Sequence, residues 1–204
     1  MSTGYSMLTG KTYSSSNKVI SFVDDIIGAL RVIQDNHQLS HRGKLFSTIV
    51  SITDMSAGAK VTYSFKTAAN SYVHFKTLHL SSFGASTVLR LLKDATVTNE
   101  GTSPLTINNL NDNATVTSLS SVKSNPSYSG GTLWLETLVG GATSNQSATG
   151  GDLAQLAGAE LILKPDTVYI IEIENISSTD TAEYVNICLI WAELNEGITA
   201  NENV

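Results

Sequence analysis

Apolar and polar positions alternate along most of this chain, most clearly in its last third. Val168–Ile173 and Tyr184–Trp191 are rich in Val, Ile and Tyr, which pack well on a pleated surface, and Glu160–Leu163 adds a shorter run. Lys164-Pro165-Asp166-Thr167 lies between the first two runs in chain order, with a proline to fix φ and an aspartate suited to a tight turn. Asn175–Thr181 is polar and turn-forming. The segment predicts three successive antiparallel strands, for which the upstream chain supplies partners.

Upstream, Leu45–Ile52 reads as a strand and Asp54–Gly58 as a turn. Val61–Lys66 alternates strictly, with Val61, Tyr63 and Phe65 on one face. In Tyr72–Leu80, Val73, Phe75, Leu78 and Leu80 oppose Tyr72, His74 and Lys76. Thr87–Leu92, Ala114–Val122 and Thr132–Val139 complete the strands, with turns at Ser81–Gly84 and Asn125-Pro126. Asp94–Asn113 and Gly140–Gly151 read as polar loops. Eight or nine short strands, with no helices alternating between them, predict an all-β fold, an antiparallel jelly-roll-like β-sandwich. An immunoglobulin-like sandwich is the alternative; it usually needs only about 100 residues, and its Cys…Trp…Cys spacing is missing.

One segment follows a different period. Val19, Ile20, Phe22, Val23, Ile26, Ile27, Leu30 and Ile33 recur at spacings of three and four, which predicts a helix from Asn17 to Asp35, capped by Ser16 or Asn17, with Gly28 as a weak point. Residues 1–16 are mostly Ser, Thr, Gly and Tyr, and such an arm cannot offset its ordering entropy alone. The expected organisation is an N-terminal arm with an amphipathic helix (1–35), a β-sandwich (36–194) opening on the polar hinge Asn36–Lys44, and a C-terminal tail (195–204).

Composition narrows the function. Hydrophobic residues make up 41% of the 204, enough for a core, and charged residues only 15%. A net charge of −6 without a Lys/Arg cluster argues against nucleic acid as a partner. No apolar run approaches the roughly 18 residues that cross a bilayer, and the N-terminus has no basic region before an apolar core, so neither a membrane partner nor a cleaved leader is expected. Cys188 stands alone in an apolar run and reads as a small buried hydrophobe. Asn113, Asn145 and Asn175 open Asn-X-Ser/Thr triplets that carry no information by themselves.

Candidate chemistry is sparse. His37 and His41 have the i, i+4 spacing of zinc ligands on a helix, but no Glu follows His37, no third ligand is evident, and Gly43 ends any helix. His74 and His79 fall on the polar side of their strand and read as surface or interface residues. Asp24 and Asp25 are adjacent and point to different sides, so they cannot pair as acid and base. The Gly130-Gly131 and Gly140-Gly141 pairs have no Lys-Ser/Thr to cradle phosphate, and no Gly-X-Ser-X-Gly elbow occurs. Glu136, Glu160, Glu172, Glu174 and Glu193 could supply a glycosidase pair; Glu172 and Glu174 share a face, read as the solvated one. The expectation is no catalytic residue, no cofactor and no metal.

The string ALRVIQDNHQLSHRGKLF (29–46) resembles the ALxVI…HxxxHxGxxF opening of a group of bacteriophage virion structural proteins. The similarity continues in Thr67, YVHFK (72–76), LLKDATV (91–97) and the 101–111 loop, and closes with LKPDTVYII (163–171) and NICLIW (186–191). It covers about residues 29–194, and the motifs' order and spacing carry it more than any one of them. The group includes decoration and head-auxiliary proteins, so the resemblance implies a capsid-bound β-sandwich on the virion surface, made in the host cytoplasm. The Ser/Thr arm lies outside the pattern.

Arm and apolar helix gain a purpose only if they bury against other subunits. The expected function is a capsid decoration (cement) protein, a homotrimer, that binds the major capsid protein and stabilises the head. Tyr5, Tyr13, Val19, Phe22, Val23, Ile26, Ile27, Leu30, His37 and His41 are the expected partner-binding residues. The alternative is a head- or tail-fibre module that binds a receptor or glycan.

Overall fold

The structure is a computed structural model and describes residues 21–23, 30–32, 39–140, 150–152 and 161–195. In chain order the strands are β1 (Ser21–Val23), β2 (Leu30–Val32), β3 (Leu45–Met55), β4 (Lys60–Lys66), β5 (Ser71–Phe83), β6 (Thr87–Lys93), β7 (Thr96–Asn99) and β8 (Ser103–Pro104). There follow β9 (Asn108–Asn109), β10 (Ser121–Ser124), β11 (Ser127–Ser129), β12 (Thr132–Val139), β13 (Gly150–Asp152), β14 (Leu161–Leu163), β15 (Val168–Asn175) and β16 (Ala182–Asn195).

Two antiparallel sheets pack as a sandwich. Sheet I has the order β13-β5-β16-β3-β9, with β14 further along the same edge of β5. Sheet II has the order β12-β6-β15-β4-β10-β8. The outermost long strands in sequence, β3 and β16, are neighbours in sheet I; the next pair inward, β4 and β15, are neighbours in sheet II. That nesting is the winding of a jelly roll.

Strict alternation explains which side chains meet between the sheets. Tyr63 and Phe65 of β4, Leu89 and Leu91 of β6, and Tyr169, Ile171 and Ile173 of β15 point inward from sheet II. From sheet I come Phe46 and Val50 of β3, Phe75, Leu78 and Leu80 of β5, and Val185, Ile187, Leu189 and Trp191 of β16. At the centre Phe65 lies edge-on to Phe75 (4.9 Å between centroids) and to Trp191 (5.2 Å), and Phe46 tilts against Trp191 at 6.2 Å. Both edge-on arrangements suit the ring quadrupoles.

Phe75 and Leu78 both face inward although two residues separate them. The register of β16 against β5 shifts between Ile190 and Trp191, and this bulge reverses the phase of β5. His74 and His79 consequently lie on the outer side, as their alternation predicts.

The end of the sandwich near Asn175 is closed by polar contacts. Asn175 is fully buried, and its Nδ2 donates to the carbonyls of Met55 and Asp180, both at 2.8 Å. Its Oδ1 accepts from the Ser177 amide at 3.0 Å. At the opposite end, the Thr67 hydroxyl donates to the Lys164 carbonyl at 2.7 Å and accepts from the Thr167 amide at 2.9 Å. Asp166 adopts φ 46°, so the expected turn at Lys164–Thr167 forms.

Several expectations are corrected. A continuous helix from Asn17 to Asp35 does not form: β1 and β2 pair antiparallel, Ser21 opposite Val32 and Val23 opposite Leu30. The segment is rich in β-branched and aromatic residues, which favour strands. The three C-terminal runs do not pair with one another; β14 and β16 belong to sheet I and β15 to sheet II. Residues 94–113 are not a plain loop, since β7, β8 and β9 lie there, and Ala114–Val122 is mostly irregular, with its strand at Ser121–Ser124. Cys188 is not buried but half-exposed on the outer side of β16.

The segments carrying β7 and β11 pair with each other and reach the outer side of sheet II, where the Tyr128 hydroxyl donates to Glu172 and the Ser64 hydroxyl to the Glu100 carbonyl. Ile170, outside the inter-sheet core, is also fully buried. The crossing is close. A Cβ on Gly101 (φ 121°) would lie 2.4 Å from the Ser124 carbonyl oxygen.

Phe65→Ala is expected to lower the unfolding free energy by about 3–5 kcal/mol, measured by chemical denaturation, because it opens a cavity at the aromatic centre. Gly101→Ala is expected to destabilise by about 1 kcal/mol or more, through both the clash and the left-handed backbone.

Candidate functional site: the two outer faces and the Glu193 groove

The outer faces of the two sheets differ in chemistry. On sheet II, β15 presents Glu172 and Glu174, and its neighbours present cations. Arg90 of β6 donates from Nε to Glu136 at 2.6 Å and from Nη1 to Glu174. The Glu174 bond, followed by that to Glu136, holds the guanidinium's pKa above its ordinary value. Lys66 and Lys123 donate to the two oxygens of Glu100, at 2.6 and 3.0 Å. Those two bonds, Lys66 first, hold the Glu100 carboxyl below the usual range.

Glu172 was expected on a solvated face, and the structure corrects this. The β7–β11 layer covers it: the Tyr128 hydroxyl donates to Oε1, Lys60 approaches Oε2 at 3.4 Å, and the residue is 8% exposed. Burial first, then the Glu172 carboxylate, pushes the Tyr128 phenol up. A phenol so placed donates and does not ionise at neutral pH.

Glu193 is the other buried carboxylate. It sits on the inner side of β16, 3% exposed, two residues beyond Trp191. Its oxygens accept from the Ser118 hydroxyl, the Leu119 amide (2.8 Å), the Ser120 amide (3.1 Å) and Trp191 Nε1 (3.1 Å). Burial pushes its pKa up, but the bonds from Ser118, Leu119, Trp191 and Ser120 together outweigh that and leave it below the ordinary value. Glu193 therefore pins the irregular 113–120 segment to the end of sheet I. Sequence reading considered Glu193 only as a possible member of a glycosidase pair.

Beside it lies an open groove of about 300 Å³, lined by Lys44, Phe46, Thr115, Val116, Thr117, Leu119 and Glu193. Leu119 is 65% exposed at its rim. With the Glu193 oxygens engaged by four donors, the groove offers hydroxyls, one ammonium and apolar surface.

Sheet I is different. Outward positions on β3 are Leu45, Ser47, Ile49, Ser51 and Thr53, and none is charged. On β16 the outward set is Tyr184, Asn186, Cys188, Ile190, Ala192 and Leu194, again without charge. Ile49 is 67% and Tyr184 56% exposed. At one end Leu39 folds onto Leu45 and Ala192, with Ile190 and Leu194 beside them, in a small second cluster.

Of the residues expected to bind partners, His41 is described: it is exposed at the end of a helical turn, and its carbonyl accepts from Asn111 Nδ2 at 3.1 Å. Phe22, Val23 and Leu30 lie in β1 and β2. Tyr5, Tyr13, Val19, Ile26, Ile27 and His37 fall outside the described residues, so the His37–His41 pair is not brought together or separated here. Among the described residues no three His, Cys, Asp or Glu side chains converge on a possible metal position. No helix among the described residues is long and apolar enough to cross a membrane. In comparisons with known proteins, the chain matches no family model and no curated protein.

Glu193→Gln is expected to destabilise the protein at pH 7 by about 1–3 kcal/mol, since an amide cannot replace a carboxylate facing four donors. Because the folded carboxyl titrates below its unfolded value near 4.3, its contribution is present above that value and is lost as pH falls through the folded pKa. The melting-temperature gap between wild type and variant should therefore narrow as pH falls from about 5 towards 3.

Proposed function

We propose that this chain is a structural component of a bacteriophage particle, a decoration protein that binds the major capsid protein lattice and stabilises the head. It works through adhesive surface and runs no reaction. The observation that carries this reading is the contrast between the two outer faces. On sheet II the outward positions of β4, β15 and β6 carry ion pairs and a covering layer, while on sheet I the outward positions of β3 and β16 carry no charge and leave Ile49 and Tyr184 exposed. Exposed apolar area rimmed by polar side chains is characteristic of protein–protein contact. The buried carboxylates support it too: Glu172 and Glu193 are tied to the fold by their hydrogen bonds, as structural groups are. The sequence resemblance over residues 29–194 gives the partner class. The N-terminal segment serves as the grip on the lattice.

The groove beside Glu193 favours a second reading, a fibre module that binds a receptor or glycan. Its Thr115 and Thr117 hydroxyls beside the exposed Leu119 could receive a sugar ring.

Copy number separates the two. Purified protein mixed with capsids that lack it should sediment with them saturably, at hundreds of copies per particle by quantitative gel densitometry. A few copies per particle favour the fibre, and no binding sinks both particle readings. Protein lacking residues 1–35 should lose most of its capsid occupancy; full occupancy would show that the grip lies elsewhere.

A further inference from the structure

We propose that the groove beside Glu193 is filled by residues 196–204 of the same chain, folding back from the end of β16. The inference goes beyond the particle reading above and stands whether or not the protein binds capsids.

Position is the first argument. β16 ends at Asn195, two residues after Glu193, whose side chain lines the groove. The Glu193 amide donates to the Lys44 carbonyl at 3.1 Å, so Lys44, another lining residue, lies directly beside the end of the strand. The residues that follow suit a reversal of direction. In Asn195-Glu196-Gly197-Ile198, Gly197 holds the third position of a tight turn, where a type II reversal requires a positive φ. Five residues separate Glu193 from Ile198, at most about 17 Å of extended chain, so the first large apolar side chain after the strand is within reach of the groove.

Charge is the second. Two charged side chains line the groove. The Glu193 carboxylate is met by four donors, whereas Lys44 makes no ion pair among the described residues. Arg42, exposed two residues before it, makes none among them either. Residues 196–204 carry Glu196 and Glu202 and no Lys or Arg. An acidic segment therefore leaves the strand beside cations that lack a carboxylate, and the two attract.

The third argument is apolar surface on a wall already held in place. Leu119 and Val116 line the groove and are 65% and 39% exposed. The Ser118–Ser120 stretch is fixed by its bonds to Glu193, so this wall costs nothing further to order when something lies against it. Ile198 laid on Leu119 and Val116 removes from water side chains that the sandwich leaves there. A weak contact suffices, because a short tether gives the tail an effective concentration on the order of millimolar at a groove next to its own root. A free ligand has no such advantage and would have to displace it.

The test uses full-length protein and two measurements. In the first, a zero-length carbodiimide joins touching amines and carboxylates, and the linked peptides are identified by mass spectrometry. Lys44 should be joined to Glu196 or Glu202 in a product with the mass of one chain, 21.7 kDa. Ile198→Ser should cut the yield of that link severalfold. In the second, hydrogen exchange of the 113–120 amides is compared with that of protein ending at Asn195, and should be severalfold faster in the shortened chain. Circular dichroism and melting curves check that both variants fold, and each is read independently of the other. Absence of a Lys44 link to either glutamate overturns the inference, as does unchanged exchange over 113–120 when the tail is removed. A link found only in a product of two chains would mean that the tail reaches a second copy, and the inference would be wrong.

Discussion

The architecture depends on β16 being hydrogen-bonded along nearly its whole length to β3 on one side and β5 on the other. A strand fixed in that way has no freedom of register: a slip of one residue would turn every side chain to the wrong face. Its inward residues, Val185 to Trp191, complete the core. Its outward residues, Tyr184 to Leu194, carry no charge and lie between the outward residues of β3 and β5. The core and the uncharged outer positions are thus two sides of one strand, separated only by the pleat.

The polar interior follows from the same arrangement. Where β16 runs past the core, Glu193 replaces an apolar inward residue and holds the 118–120 backbone by accepting its amides. Where β15 crosses under the outer layer, Glu172 takes a hydroxyl and an ammonium. A buried carboxylate is tolerated only when its lone pairs are met. In both places some of the donors come from segments without long strands, Ser118 to Ser120 for Glu193 and Tyr128 of the three-residue β11 for Glu172. These two residues therefore act as anchors for irregular chain.

Sequence legibility tracks how local the cause is. Val61, Tyr63 and Phe65 face inward because alternation within seven residues says so, and His74 and His79 face outward for the same reason. The bulge that lets Phe75 and Leu78 share a face was implicit in their spacing. The N-terminal segment misled because Val, Ile and Phe at spacings of three and four also fit two short strands, and Gly28 was the hint against a helix. Burial of Glu172 could not be read at all. It requires Tyr128, 44 positions away, to arrive on a layer that pattern alone does not predict. The role of Glu193 likewise requires Ser118, 75 positions earlier. The identity of the exposed face became visible only when strands from distant parts of the chain were set side by side.

The corner at Asn175 has one more implication. Asn175-Ile176-Ser177 has the form of a glycan acceptor, yet both hydrogens of the Asn175 amide are committed to the carbonyls of Met55 and Asp180 inside the protein. No sugar-transferring enzyme could reach that nitrogen without unlatching β3 from the loop that leads into β16. The triplet is masonry: a wedge that sets the angle between two strands, whose resemblance to a modification signal is a coincidence of spelling.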